Sequence, residues 1–119
     1  MDAVVESYFA AWNERDAGRR RDLLRQSVES DAELVDPTGR WQGVEGFVER
    51  IERYQSTAPG TRVVPASGID SHNDVMRYAW MIVDPEGRSI IDGIDVAERT
   101  SAGRLRRIMM FHGPLPVVE

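Results

Sequence analysis

The residues that most constrain the fold form an apolar strand, Arg88 to Glu98, with an acidic side chain, Asp95, in its middle. Side chains alternate between the two faces of a strand, so Ile91, Gly93 and Asp95 share one face. A carboxyl group on an apolar face is costly to bury unless it has a partner or a task. The strand therefore predicts both the centre of a sheet and a candidate site.

Turn-forming residues flank this strand at 84–87 and 100–103, so the strands on either side should pair with it as antiparallel hairpins. The simplest closure of the two turns puts Met76 and Ile108 opposite Asp95. A one-residue slip would send every side chain to the other face. The face that carries Asp95 then collects these candidate ligand-binding residues: Met76, Tyr78, Trp80, Ile91, Ile108, Met110 and His112.

Composition limits the classes of function. The chain has 119 residues, a net charge of −5, no cysteine and no lysine among its fifteen basic residues. We expect a single domain spanning residues 1–119, with no nucleic-acid partner and no membrane partner. Thiolate and Schiff-base chemistry are excluded because both residue types are missing. The lack of cysteine suits a reducing compartment, and we expect a cytoplasmic protein.

Hydrophobic periodicity predicts three helices and five strands. The expected helices span 2–15, 19–30 and 44–56, and the expected strands span 32–36, 61–69, 75–83, 88–98 and 105–112. Asp2 is the expected N-cap of the first helix, Pro65 marks an edge or a bulge, and Trp41 lies in a loop or a short strand. This order predicts an α+β fold with helices on one face of an antiparallel sheet.

The central strand is apolar on its second face as well, through Ile90, Ile94 and Val96. The helices can cover only one face of the sheet. We therefore expect the other face to be buried in a two-fold homodimer.

Four local patterns accompany this element order: Ser7 to Asn13, Val35 to Gly39, Gly43 before a helix, and Gly93-Ile-Asp95 eight residues ahead of a turn glycine. Together they resemble the nuclear transport factor 2-like (SnoaL-like) superfamily over nearly the whole chain. The resemblance implies a cystatin-like cone, in which a curved antiparallel sheet and three helices enclose an apolar pocket, and frequent dimerisation through the sheet. The superfamily includes isomerases, dehydratases, polyketide cyclases and non-catalytic proteins, so the fold alone does not assign a function.

Within that superfamily the most similar catalytic pattern is that of ketosteroid isomerase. The resemblance places Tyr8 on its oxyanion-hole tyrosine, Asp36 on its general base and Asp95 on its second oxyanion-hole group. Such chemistry needs a base over the carbon that loses a proton and donors aimed at the oxygen that becomes an enolate.

Each of these residues has an alternative interpretation. Asp36 precedes Pro37 and could cap a turn instead of acting as a base. Asp95 could pair with a buried Arg77 or Arg106 instead of donating a hydrogen bond as a neutral acid. Tyr8 could be a core residue with its hydroxyl at the rim of the pocket.

The aromatic residues Trp12, Trp41, Tyr78 and Trp80 are candidates for lining the pocket, and we expect two of the four to do so. His112 is a candidate ligand contact, whereas His72 lies in a polar stretch and is expected to be structural or exposed. The two histidines are on separate segments, so we predict no metal site.

These residues favour a pocket protein for an apolar, carbonyl-bearing small molecule, acting without a cofactor as an isomerase- or cyclase-type enzyme. The catalytic residues would be Tyr8, Asp36 and Asp95. Two alternatives remain: a non-catalytic dimer that binds an apolar ligand, and a structural module whose pocket has collapsed.

Overall fold

Three helices pack on one face of a curved, seven-stranded mixed sheet in the computed structural model, which describes residues 2–119. The helices are α1 (Ala3–Asn13), α2 (Ala17–Ser27) and α3 (Gly43–Thr57). The strands are β1 (Val28–Asp36), β2 (Gly39–Gln42), β3 (Arg62–Pro65), β4 (Asp70–His72), β5 (Val75–Val83), β6 (Ser89–Arg99) and β7 (Leu105–His112). The predicted α+β class is confirmed.

Helix boundaries follow local capping. The carboxylate of Asp2 accepts a hydrogen bond from the backbone N–H of Val4 at 2.8 Å, as expected of an N-cap. The second helix ends at Ser27, three residues earlier than predicted. The Ser27 hydroxyl donates to the Leu23 carbonyl, and the β-branched Val28 starts β1 by pairing with Leu105.

The strand order is β2-β1-β7-β6-β5-β3, with β4 also paired to β5. One pairing corrects the expectation of a fully antiparallel sheet, because β1 runs parallel to β7. These two strands are far apart in the chain, and no hairpin forces them to be antiparallel. The last strand therefore joins the first part of the sheet to the central hairpins.

The predicted register of both central hairpins was wrong by two residues. Asp95 lies opposite Tyr78 and Met110, not opposite Met76 and Ile108. Each turn has a loop of three residues that ends in a glycine with positive φ, Gly87 or Gly103, and this loop length accounts for one residue of the difference. An irregularity further along each hairpin shifts the register by one more residue. A shift of two residues preserves the faces, so the predicted composition of Asp95's face survives.

The predicted strand over residues 61–69 is shorter than expected. Pairing of β3 stops at Pro65, which has no N–H to donate, on an edge strand of the sheet. A separate short strand, β4, pairs with the same neighbour β5 further along the chain.

The core lies between the helices and the inner face of the sheet, where Leu34, Phe47, Ile51 and Ile108 are fully buried. No helix in the described part of the chain is both long and apolar enough to span a bilayer.

Candidate functional site

Asp95 lies on the inner face of β6 and is 3 % exposed. Neither arginine suggested as its partner reaches it. Arg77 donates to Asp70 at 2.8 Å and Arg106 donates to Glu98 at 3.0 Å, and both arginines are exposed. The ion-pair interpretation of Asp95 was therefore wrong, and the carboxyl group is buried without a cation.

Unsatisfied polar atoms surround this carboxyl group. Within residues 2–119, one oxygen of Asp95, the hydroxyls of Tyr8 and Tyr78 and the indole N–H of Trp80 are buried without a hydrogen-bond partner. Most buried polar atoms in proteins have a partner, so several orphans in one place need an explanation. Tyr8, Trp80 and Asp95 offer two donors and one acid to a molecule that would enter, whereas Tyr78 does not line the cavity described next.

A small cavity of about 30 Å³ lies among these groups. It is lined by Tyr8, Phe9, Trp12, Val63, Trp80, Asp95 and Met110. This volume holds about one water molecule, whereas sites for drug-sized ligands occupy roughly 300–1,000 Å³. All the lining residues are buried except Met110, which is half-buried.

Burial dominates the electrostatics of the cavity. It raises the pKa of Asp95 to about 7, and the neighbouring polar groups of Tyr78 and Trp80 oppose that rise only in part. Burial, with the nearby charge of Asp95, also raises the pKa of the Tyr8 and Tyr78 phenols well above their usual range. Near neutral pH both phenols are therefore donors, and Asp95 is poised between acid and base.

Asp36 is held differently. One of its carboxylate oxygens accepts from the backbone N–H of Thr38 at 2.8 Å, and the other accepts from Arg50 Nε at 2.5 Å. Burial alone would raise the pKa of Asp36, but the hydrogen bonds from Thr38 and Arg50 outweigh it and hold the pKa below its usual range. The turn-cap interpretation is confirmed, and the role as a base stays a prediction.

Of the three predicted catalytic residues, Tyr8 and Asp95 line the cavity, whereas Asp36 does not line it and its side chain is fully buried. The register of β1 against β7 pairs Val35 with Met109, which brings Asp36 beside Met110, and Met110 faces Asp95 on the other side. Strands are spaced by about 4.8 Å, so the Cα atoms of Asp36 and Asp95 lie about 10 Å apart with Met110 between them. The charges of both aspartates reach Tyr8 and contribute to its raised pKa.

The other predicted ligand-binding residues divide into two groups. Trp12, Trp80 and Met110 line the cavity, so two of the four candidate aromatic residues reach it, and Tyr78 does not. Several do not line it. Trp41 lies outside the cavity, with the guanidinium of Arg53 over its ring. Met76 and Ile108 are buried in the core. Ile91 is 42 % exposed, and His112 is exposed, with its ring nearly perpendicular to that of Trp80.

Sequence reasoning missed Phe9, Val63 and Arg50. Phe9 and Val63 line the cavity, and their apolar character gave no signal beyond core packing. Arg50 lies on α3 fourteen residues after Asp36, with its guanidinium 5.6 Å from the centroid of the Trp12 ring. A cation on the core-facing side of an amphipathic helix could have been suspected of having an acidic partner.

Gly93 positions the indole of Trp80. A Cβ atom on Gly93 would overlap both the Phe111 carbonyl oxygen and the Trp80 ring. We expect Gly93→Ala to displace Trp80 and lower the free energy of unfolding by about 1–3 kcal/mol, as overpacking does. Urea unfolding followed by tryptophan fluorescence measures this loss.

The matched control is Gly68→Ala, because a Cβ at Gly68 meets no atom within 4 Å and no positive φ is involved. Equal stability of the two variants would show that the close packing of Trp80 on Gly93 is not needed.

Within residues 2–119, no three histidine or acidic side chains gather closely enough to hold a metal ion.

Comparison with known proteins places this geometry in a family. The profile of the SnoaL-like domain matches residues 5–108. The chain belongs to the SnoaL-like domain family. No curated protein matches it significantly.

Some solved structures with this fold have descriptions that name a function. A provisionally named isomerase of the SnoaL-like family from Agrobacterium tumefaciens is 32 % identical with a TM-score of 0.86, over 93 % of this chain and 95 % of its own. A provisionally named polyketide cyclase from Sinorhizobium meliloti is 18 % identical with a TM-score of 0.72, over 93 % and 95 % of the two chains. A protein with a cystatin-like fold from Methylobium petroleophilum is 18 % identical with a TM-score of 0.74, over 96 % of this chain and 76 % of its own. The last two likenesses bear on the fold of this SnoaL-like domain alone.

Proposed function

We propose that this SnoaL-like domain is a cofactor-independent enzyme that moves a proton alpha to the carbonyl of a small apolar metabolite, in an isomerase- or cyclase-type reaction. The observation that carries the proposal is the group of unpartnered donors around Asp95 in an otherwise apolar cavity. The similarity to an isomerase-named protein of the same family supports the same class.

The substrate's carbonyl oxygen would take the place of the missing hydrogen-bond partner. Neutral Asp95 and the Tyr8 hydroxyl would each donate a hydrogen bond to it. As the adjacent carbon loses its proton, negative charge moves onto this oxygen and both hydrogen bonds strengthen. Because the surroundings are apolar, that gain is larger than it would be in water.

Asp36 would accept the proton and return it to another carbon of the same molecule. It is ionised at neutral pH because Thr38 and Arg50 stabilise its charge. The same interactions make it a weaker base, so one of its three hydrogen bonds, from the Thr38 N–H, the Thr38 hydroxyl and Arg50 Nε, has to lengthen as the substrate binds. The separation of about 10 Å between the Cα atoms of Asp36 and Asp95 leaves room for the carbonyl and its neighbouring carbons once Met110 moves.

The test is a panel of small enones and β,γ-unsaturated cyclic ketones, followed by NMR in deuterated buffer. We expect the wild-type protein to catalyse double-bond migration or α-deuteration of at least one member above the buffer rate, and Asp36→Asn to lose that activity. Saturable binding of a ketone with no exchange in either protein would contradict the enzymatic proposal.

A second candidate function is a non-catalytic ligand-binding dimer. The outer face of the sheet favours a dimer, because Ile90, Ile94 and Phe111 are 56 %, 45 % and 63 % exposed there. The cavity of about 30 Å³ favours the remaining alternative, a structural module whose pocket has collapsed. Ile94 and Phe111 are directly paired across β6 and β7, so their side chains form one apolar patch. A second copy of the chain would bury this patch around a two-fold axis.

We expect sedimentation of the wild-type protein to give a dimer and Ile94→Glu to give a monomer, because a charge at the centre of the patch opposes its burial. Val117→Glu is the matched control, since Val117 is 87 % exposed in the C-terminal segment outside the sheet. A wild-type monomer at high concentration would overturn this part of the proposal.

A further inference from the structure

Met110 is the single lining residue of the cavity that combines a flexible side chain with contact to solvent. The aromatic residues around it are buried, and Val63 is β-branched, so their rotamers are restricted by packing. Methionine has three rotatable bonds and no branch, which lets it adopt several shapes at little cost. A molecule that enters the cavity therefore meets a wall that can move at this one position.

The position of Met110 also matters for chemistry. It lies between Asp36 and Asp95 on adjacent strands, on the line that a substrate would span in order to touch both acids. The space now filled by its side chain is therefore the space that part of the substrate has to occupy. How far the side chain can withdraw sets the largest ligand that fits.

We propose that Met110 is the specificity-determining residue of the site and restricts it to compact ligands of about one ring. This inference rests on the proposed function for the chemical class of the ligand, a small molecule with one oxygen acceptor. Trp80, which packs closely on Gly93, also lines the cavity. The cavity now holds about one water molecule, so a ring fits only into the space that the Met110 side chain vacates, and a second fused ring would need more space than that one side chain frees.

Met109 offers a matched control. It is the adjacent residue, it is also half-buried, and it faces the opposite side of the sheet. Truncation of Met109 removes the same number of atoms without touching the cavity.

The experiment measures binding by calorimetry, with phenol as the one-ring probe and 2-naphthol as the two-ring probe. We expect the wild-type protein and Met109→Ala to bind phenol and to bind 2-naphthol much more weakly. In Met110→Ala the affinity for 2-naphthol should rise at least about ten-fold, the scale that a change in an apolar pocket produces. Equal preference in wild type and Met110→Ala, or no binding of phenol by any variant, would overturn the inference.

A second variant guards against misfolding of the alanine variant. Met110→Ile keeps the bulk of the wall but stiffens it, so we expect phenol affinity to fall by about ten-fold while 2-naphthol remains excluded. Unchanged phenol affinity in Met110→Ile would contradict a moving wall. If the affinities for phenol and 2-naphthol change among the variants as expected but no proton exchange is detected, the proposed reaction is contradicted and the proposed role of Met110 still holds.

Discussion

Asp95→Asn is expected to stabilise the protein at pH 8 and to remove most of the pH dependence of its stability between pH 5 and pH 8. The carboxyl is 3 % exposed and has no cation beside it, so its ionised form is disfavoured in the folded state. Its pKa is about 7 in the folded protein, compared with 3.8 for an unperturbed aspartate.

The direction follows from proton binding. Between pH 3.8 and about 7 the folded state keeps a proton on Asp95 that the unfolded state has released. Folding stability from this residue is therefore fully present below pH 3.8 and is lost as the pH rises to about 7. The loss is about 1.4 kcal/mol per pH unit, on the order of 4 kcal/mol in total. The lowered pKa values of Asp2 and Asp36 act in the opposite direction, at more acidic pH.

Urea unfolding at pH 5, 6, 7 and 8 measures this effect. Asparagine has nearly the shape of aspartate and can donate to a neighbouring hydroxyl, but it cannot ionise. Asp92→Asn is the control, because Asp92 is exposed on the same strand and faces the other side of the sheet. A wild-type stability that is flat from pH 5 to pH 8, or an Asp95→Asn variant that keeps the wild-type slope, would rule out a neutral buried acid.

Asp36→Asn is expected to lower turnover of a responsive ketone by about 10²- to 10⁴-fold, the usual contribution of a general base. The substitution also leaves Arg50 without its carboxylate, and breaking a buried pair destabilises a protein by roughly 3–5 kcal/mol. The Arg50 side chain is 13 % exposed and partly solvated, so the lower end of that range is expected. Turnover rates therefore have to be normalised to the concentration of folded protein.

Arg50→Gln separates the two effects. It removes the ion pair while keeping the carboxylate of Asp36, whose pKa should rise because a stabilising charge is lost. We expect its turnover to persist with the acidic limb of the pH–rate profile moved to higher pH. If Asp36→Asn and Arg50→Gln were equally inactive after correction for folding, the pair would be structural and another group would be the base.

The sequence was sufficient for the faces of the strands but not for their register. Alternation placed Asp95 on the same face as Tyr78, Trp80 and Met110 whatever the pairing, provided that any slip was even. The turn length and the additional register shift in each hairpin depend on details that flanking turn residues do not specify. The two shifts of one residue add up to a difference of two residues, which changes the pairing partners but leaves every side chain on the predicted face.

The environment of the two aspartates could not be predicted in the same way. Asp95 was suspected of pairing with Arg77 or Arg106, which lie on neighbouring strands, yet both arginines extend to acids at the surface. The partner of Asp36 came from a helix that crosses the sheet, and the crossing depends on packing of the whole core. Local sequence patterns do not identify side-chain partners that only tertiary packing brings together.

The parallel pairing of β1 with β7 has a consequence for synthesis of the chain. Tyr8 and Asp36 leave the ribosome long before Asp95, and the strand that connects the two halves of the sheet is the last one to be made. Until residues 105–112 emerge, β1 lacks its neighbour and the cavity lacks Met110, one of the residues that surround Asp95. Completion of the final strand would thus complete the burial of Asp95, and with it the rise in the pKa of this carboxyl group.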